Sequence, residues 1–348
     1  MNPATNRGFD QHEQVALVSD EATGLAGFVA LHSTTLGPAA GGCRMANYTS
    51  PEAALTDALR LSQGMSYKNA LAELPAGGGK AVLYRTRTGA DREAVFEAFG
   101  AAVEALNGAY VTAEDVGTSV GDMEAVSRRT RYVAGLPQRN ARAGGDPSPW
   151  TALGVFVALE ACIGRPLQGA RIAVQGLGSV GFKLCVRLHA AGAKLVVADV
   201  DMARARQARD AFGAEIVPVD RIHLVEADVF SPNALGAALN EVTIPDLGAP
   251  VVCGGANNQL ATPQDGRRLL SRGVIYAPDY VVNAGGIINV MAEYLGEAES
   301  GVEDRVRAIG PRTRHLLDKA LVDGLPPHEV ADRLARARIG QLDTASAA

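Results

Sequence analysis

Two lysines and an aspartate give the first chemical lead in this 348-residue sequence. Only five of its 33 cations are lysine (Lys68, Lys80, Lys183, Lys194 and Lys319), and the other 28 are arginine. Arginine is the default solvating cation, so each lysine invites a reason. Lys80 follows Gly77-Gly78-Gly79 and enters the apolar run Ala81–Tyr84, where its stem is expected to be partly buried. Lysine changes protonation state readily when buried or beside another cation, and arginine does not. Lys68 lies twelve residues earlier. Two lysines in one site can divide the labour, one holding a carboxylate and one polarising a carbonyl. Asp115 ends an expected strand. It could cap the helix expected near Ser119–Arg128, but Ser119 can do that as well. Glu114, the alternative acid, is read as pointing to solvent.

The second lead is Gly176-Leu177-Gly178-Ser179-Val180-Gly181, after the apolar strand Arg171–Gln175 and opening a helix. A lone G-x-G-x-x-G is weak, but here the strand, the helix and a downstream acid are all in place. Gly176 would make the tight turn, Gly178 would let backbone approach a pyrophosphate, and Gly181 would allow close helix–strand packing. The helix N-terminus offers free N–H groups and partial positive charge to phosphates. Asp199 ends the next strand, where an acid binds ribose hydroxyls. No Lys or Arg follows it immediately, so NAD is favoured over NADP. Asn257-Asn258 and Asn283 follow apolar runs read as strand ends, the ligand edge of such sheets; turn chemistry explains them equally well.

The elements that must position these residues follow a coarse pattern. Residues 14–32 read as a hairpin. Ser50-Pro51-Glu52 starts a helix carrying Lys68. Pro75 to Gly79 break it, and Lys80 opens a short strand. A helix spans about Asp91–Leu106. Residues 138–149, rich in Gly and Pro, look like a domain joint. Strand and helix then alternate, which implies a parallel sheet covered on both faces. The fold class expected is α/β. A substrate domain with a mixed sheet covers 1–137, and a Rossmann-type doubly wound NAD domain covers 138–325, with a cleft between them. Residues 326–348 form a C-terminal helix.

Composition narrows the function classes. The net charge of −5 argues against nucleic-acid binding. The apolar content of 47% suits a sizeable core, and 39 glycines exceed the usual ~7%. No apolar leader or membrane-length run is visible. The four cysteines and six histidines are scattered, so neither a disulfide framework nor a metal site is expected. A cytoplasmic enzyme acting on a small molecule is the reading.

Several motifs together carry a resemblance. They are Thr34–Pro38 through Gly41-Gly42-Cys43-Arg44-Met45; Gly64–Lys68; Gly77–Lys80; Tyr110–Thr118; and Tyr276–Gly286. From about residue 14 to residue 340 the sequence resembles the glutamate/leucine/phenylalanine/valine dehydrogenases, particularly the leucine and phenylalanine members. The resemblance implies that Lys68, helped by Asn258, binds the substrate α-carboxylate. It implies that Lys80 is a low-pKa lysine that polarises the carbonyl and activates water, and that Asp115 shuttles protons. Thr151 and Asn283 would lie near the nicotinamide and its ribose. Gly176, Gly178, Ser179, Val180, Gly181, Asp199, Ala256 and Asn257 would complete the cofactor site. Gly42 is assigned to the substrate site.

The side-chain pocket carried over is Ala40, Ala113, Ile287 and Val290. Glutamate enzymes place a lysine and a serine where Ala40 and Val290 stand, so glutamate is not expected. Ala113 resembles leucine enzymes, whereas Ala40 matches some phenylalanine enzymes. The reaction implied is reversible oxidative deamination of leucine, valine or isoleucine with NAD. Phenylalanine is the nearest alternative, and a non-catalytic NAD-binding regulator is a remote one. Trp150 is read as packing at the joint. Family relatives form dimers to octamers, so a homo-oligomer is expected, and the C-terminal helix should return to the first domain.

Overall fold

The computed structural model describes residues 3–86, 89, 91–137, 142–234 and 236–340. The chain divides into two compact units. Unit 1 comprises 1–146, 287–302 and 334–348; unit 2 comprises 147–286 and 303–333.

Unit 1 is built on a mixed six-stranded sheet. Its strands are β1 (Gln14–Asp20), β2 (Leu25–Ser33), β3 (Ala39–Ala40), β4 (Cys43–Met45), β5 (Gly77–Arg85) and β6 (Tyr110–Val111). The order is β1-β2-β5-β3-β6, with β4 also on β5. The first two pairings are antiparallel and the others parallel. Helices α1 (Pro51–Leu71), α2 (Arg92–Glu104) and α3 (Val120–Ser127) accompany it. Ser50 caps α1 with Pro51 in its first turn, as its sequence indicates. Val95, Phe96, Phe99 and Val103 of α2 pack with Val29, Leu31, Leu83 and Tyr110 of the sheet. Leu55, Ala58 and Leu59 of α1 pack with Phe28, Ala30 and Val82.

One expectation is corrected here. The strand expected to open at Lys80 begins earlier: Gly77–Gly79, expected in the break after the helix, are the first residues of β5. Glycine is a poor strand former, but side chains have no room there. A Cβ on Gly77 would lie 1.9 Å from the Ser33 carbonyl oxygen, and one on Gly78 would lie 2.0 Å from the Ser66 nitrogen of α1. Gly78 lets α1 lie directly on the strand. Lys80, two residues after Gly78, points to the same face by the period-two rule.

Unit 2 is a doubly wound parallel sheet. It contains α4 (Ser148–Ile163), β7 (Arg171–Gln175), α5 (Ser179–Ala190), β8 (Lys194–Ala198), α6 (Met202–Phe212), β9 (Glu215–Ile216), β10 (Val229–Pro232), β11 (Val251–Val252), α7 (Pro263–Ser271), β12 (Ile275–Tyr276) and α8 (Asp279–Val282). The strand order β12-β11-β10-β7-β8-β9 reverses at β7, and every pairing is parallel. A ligand at such a switch point binds beyond the strand C-termini. The run before Asn283 was read as a strand end. It is instead the short helix α8, which follows Pro278 at its N-cap.

The last helices are α9 (Gly285–Tyr294), α10 (Val302–Arg307), α11 (Ile309–Asp323) and α12 (Pro327–Arg338). The division expected at 137/138 falls at 146/147, and residues 287–302 return to unit 1. The return has clear causes. Glu293 accepts backbone N–H bonds from Gly135 and Leu136, both at 2.9 Å. Asn289 exchanges hydrogen bonds with the backbone of Gly144. Ile287 and Val290 pack with Ala113 and Ala134. The C-terminal helix expected over 326–348 is also split. Up to residue 333 it belongs to unit 2, where Asp332 accepts the Tyr280 hydroxyl proton at 2.5 Å. From 334 it belongs to unit 1, where Arg336 pairs with Asp10 at 2.7 Å. Residues 138–141 and 341–348 of the expected joint and tail lie outside the described residues.

Candidate active site

In unit 1 the strands bring Lys80 and Asp115 together. Lys80 is 4% exposed, and its Nζ lies 3.0 Å from Asp115 Oδ2. Asp115 is placed by its own backbone. Its N–H donates to Thr118 Oγ1 at 2.8 Å, and the Thr118 hydroxyl donates to the Cys43 carbonyl at 3.0 Å. Ser119 caps α3 in a reciprocal box with Asp122, so the Asp115 carboxylate is not used as a cap. Gly42 must be glycine, because a Cβ there would fall 2.6 Å from the Glu114 carbonyl and 2.9 Å from Asp115 Cβ.

Electrostatics follow from these contacts. Burial pushes the Asp115 carboxyl up, but Lys80 and Arg44 together outweigh it and hold the acid below the usual range. Asp115 is therefore an anion at neutral pH. Glu114 was read as facing solvent, but it is half-buried. Burial first, and then the charges of Asp146 and Glu293, raise its pKa. The two neighbouring acids therefore sit in opposite environments, the arrangement that separates acid from base roles.

Lys68 is half-buried on α1. Its neighbour Asn69 bolts that helix to the sheet, donating to the carbonyls of Gly77 at 2.6 Å and Ala40 at 3.2 Å. Ala113 and Val290 are buried together with Ala134, and Ile287 and Tyr294 pack against them. This apolar cluster presents no charge. Ala40 is buried on β3, beside Gly78 in register, and is not a member of the cluster.

In unit 2 the glycine loop does what its sequence requires. Gly176 has φ +89°, a turn costly for other residues. A Cβ on Gly181 would lie 2.0 Å from the Gly176 carbonyl oxygen. Gly178 faces open space, the nearest neighbour of a Cβ there being Arg204 Nη1 at 4.0 Å. No side chain caps α5, so the first N–H groups of α5, at Ser179, Val180 and Gly181, have no acceptor within the helix. Asp199 accepts the N–H of Leu177 at 2.6 Å and that of Asp201 at 2.8 Å, so it also shapes the loop.

Further along the strand ends, Asn283 Nδ2 donates to Gly255 O at 3.2 Å and to Asn257 Oδ1 at 2.8 Å. Asn283 Oδ1 is buried without a partner, an acceptor that a ligand hydroxyl or amide would satisfy. Ala256 donates its N–H to Pro232 O. Asn258 sits at φ +54° and donates its N–H to the Asp279 carboxylate. Thr151 lies in the first turn of α4, and Gly286 must lack a side chain because a Cβ would fall 2.7 Å from Thr151 Oγ1. Trp150 is half-buried on α4, and a Cβ on Gly285 would lie 2.0 Å from its carbonyl oxygen.

Residues 10–132 match the Glu/Leu/Phe/Val dehydrogenase dimerisation domain, and residues 197–308 match the Glutamate/Leucine/Phenylalanine/Valine dehydrogenase family. The chain is 46% identical over 333 residues to the leucine dehydrogenase of Thermoactinomyces intermedius, covering 94% of this chain and 91% of the relative. The chain belongs to the Glu/Leu/Phe/Val dehydrogenase family. It is also 44% identical over 338 residues to a valine dehydrogenase of Streptomyces albus, covering 95% and 93% of the two chains. The crystal structure of L-tryptophan dehydrogenase from Nostoc punctiforme superposes with a TM-score of 0.83 at 40% identity, covering 94% of this chain and 96% of that one. For a member of this family, sequence reading missed Arg44, Asn69, Tyr110, Ala134 and Glu293. A buried tyrosine, and a glutamate that accepts the N–H groups of a distant loop, leave no local pattern. The Tyr110 hydroxyl donates to Gly41 O at 2.6 Å and accepts the Ala81 N–H at 3.0 Å, tying β6 to β5 and to the link between β3 and β4 beside Lys80.

Proposed function

We propose that the chain catalyses the reversible, NAD-dependent oxidative deamination of an apolar L-amino acid, with leucine, valine and isoleucine as its principal substrates. The buried Lys80–Asp115 pair is the observation that carries this reading. A cation and an anion held 3.0 Å apart supply an electrophile and a proton acceptor at one place. Lys68 is proposed to hold the α-carboxylate as a compact cation. Asp115, ionised at neutral pH, takes a proton from the substrate ammonium group. NAD, when bound, supplies the acceptor for the α-hydrogen, which leaves as hydride. Lys80, having released its own proton to solvent, takes one from the water that adds to the iminium carbon, and the cation so formed stabilises the developing oxygen. Asp115 returns its proton to nitrogen, which leaves as ammonia while the carbinolamine hydroxyl gives up its proton to solvent and becomes the carbonyl of the 2-oxo acid.

The cofactor assignment rests on fit. The Gly176–Gly181 loop leaves room for a pyrophosphate at Gly178, and Asn283 Oδ1 lacks a partner. Asp199 places a carboxylate where a 2′-phosphate would be repelled. The substrate class rests on the uncharged cluster of Ala113, Ala134, Ile287, Val290 and Tyr294, which offers a distal carboxylate no partner. Relatives named for leucine, valine and tryptophan fit an apolar pocket of adjustable depth. A homo-oligomer is proposed, in keeping with the dimerisation domain matched by unit 1.

The test follows NADH formation at 340 nm with leucine, valine, isoleucine, phenylalanine, tryptophan and glutamate. Branched-chain substrates should give the highest kcat/KM. Silence with all six would refute the activity, and a glutamate preference would refute the pocket assignment.

A further inference from the structure

Asp115 has a second cation, and the proposed reaction gives it a purpose. Arg44 Nε lies 3.1 Å from Asp115 Oδ2, the oxygen that Lys80 also contacts at 3.0 Å. The other end of Arg44 is anchored, with Nη1 3.0 Å from Asp57 Oδ2. Asp57 Oδ2 in turn accepts the Tyr48 hydroxyl proton at 2.6 Å. The result is an alternating row of charge, Lys80, Asp115, Arg44, Asp57, drawn from β5, the segment after β6, β4 and α1. Arg44 and Asp115 side chains are each 21% exposed, so water screens the row little.

A lysine that takes part in proton transfer must spend part of each cycle neutral. At that moment a buried aspartate with one counter-ion would be left unpaired, and it would take up the proton itself. Arginine does not titrate in this range. It keeps Asp115 ionised in both states of Lys80. Both cations bear on Oδ2, so the charge contacts of Lys80 and Arg44 converge on one carboxylate oxygen. The remaining titratable neighbours cannot substitute. Burial raises the Cys43 thiol and the Tyr110 hydroxyl far above neutrality, and Asp57 is held by Arg44 and Tyr48.

We propose that Arg44 is a positioning residue for the deamination. Fixed by Asp57 and Tyr48, it is the permanent counter-ion that keeps Asp115 ionised and its carboxylate fixed beside Lys80. This rests on the Lys80–Asp115 assignment above and extends it to a residue that need not touch the substrate.

The experiment is the pH profile of kcat/KM for leucine deamination, measured on wild type, Arg44→Gln and Arg44→Lys. Asp115 is the acid that Arg44 helps to hold ionised. Losing a cation 3.1 Å away favours its protonated form, by about one pH unit or more. Arg44→Gln should therefore move the acid limb to higher pH by about that amount, with at least a tenfold loss below the limb and partial recovery above it. Arg44→Lys keeps the charge but cannot bridge both carboxylates, so its limb should stay near wild type while kcat falls. NADH binding, a property of unit 2, should be unchanged in both and serves as the check on folding. An Arg44→Gln profile that keeps the wild-type limb, with a loss equal at every pH, would show a structural role only. A shifted limb in Arg44→Lys would overturn the charge argument, even if the glutamine variant did not fold. A wild-type enzyme without activity would refute the function itself; an active wild type with an unmoved limb refutes only the role of Arg44.

Discussion

Gly78→Ala tests how the sheet and α1 place the two lysines. An added Cβ would lie 2.0 Å from the Ser66 nitrogen, 2.3 Å from its Oγ and 2.4 Å from its Cα. Ordinary contact begins at 3.4 Å, so the backbone must give by about 1.4 Å. The neighbour is helix backbone, not the tip of a flexible chain, and Ser66 Oγ is itself held by His32 at 2.8 Å. The overpacking should cost about 1–3 kcal/mol. At ~2–4 °C per kcal/mol this lowers the melting temperature by roughly 5 °C. Lys68 follows Ser66 by two residues and moves with α1; Lys80 follows Gly78 by two and stays with β5. A ~1 Å misplacement of reacting groups costs about 100-fold, so kcat/KM for leucine should fall by that order. Gly64→Ala on the same helix is the control. Nothing lies within 4 Å of its Cβ, and helix propensity should stabilise it by up to ~1 kcal/mol. Wild-type kinetics and melting in Gly78→Ala would refute the packing argument.

Three further outcomes are expected. Ala113→Gly should deepen the apolar cluster and raise the phenylalanine-to-leucine ratio of kcat/KM by about tenfold, since one methyl-sized change is worth ~1–3 kcal/mol; an unchanged ratio would remove Ala113 from the pocket. Wild type should use NADP poorly, and Asp199→Asn should narrow the NAD/NADP ratio; equal rates in wild type would overturn the role given to Asp199. Acid should weaken unit 1 through His32, which is fully buried. Burial and the neighbouring His12 lower its pKa from 6.5 to about 4. The unfolded chain then binds the proton first, so stability is lost as pH falls from 6.5 towards 4, by about 3 kcal/mol in all. Thermal melts across that range should show a smaller slope in His32→Gln, and an equal slope would contradict the assignment.

Much of this molecule is legible in its sequence because the relevant constraints are local. Gly176, Gly178 and Gly181 obey the geometry of one turn, and apolar strands alternating with helices specify a parallel sheet. Lys68 and Lys80 stand out because arginine is otherwise the chain's cation. What could not be read depends on distant partners. Gly77–Gly79 read as a break, since nothing local shows that Ser33, Ser66 and Tyr110 close on them. The return of 287–302 to unit 1 depends on Glu293 meeting the N–H groups of Gly135 and Leu136, more than 150 positions earlier. Asp279–Val282 has the β-branched content of a strand, yet Pro278 and the Tyr276–Asp279 hydrogen bond make it a helical turn. Arg44 lies inside the Gly41–Met45 motif, but only its contacts with Asp115 and Asp57 give it a task.

Lys80→Ala tests the central claim most directly, with leucine-dependent NADH formation and NADH fluorescence titration measured on the same sample. Loss of the electrophile and of the Asp115 partner should lower kcat by about 10²–10⁴-fold, while NADH binding to unit 2 stays at the wild-type level. A Lys80→Ala enzyme that still turns over leucine at near the wild-type rate would contradict the account.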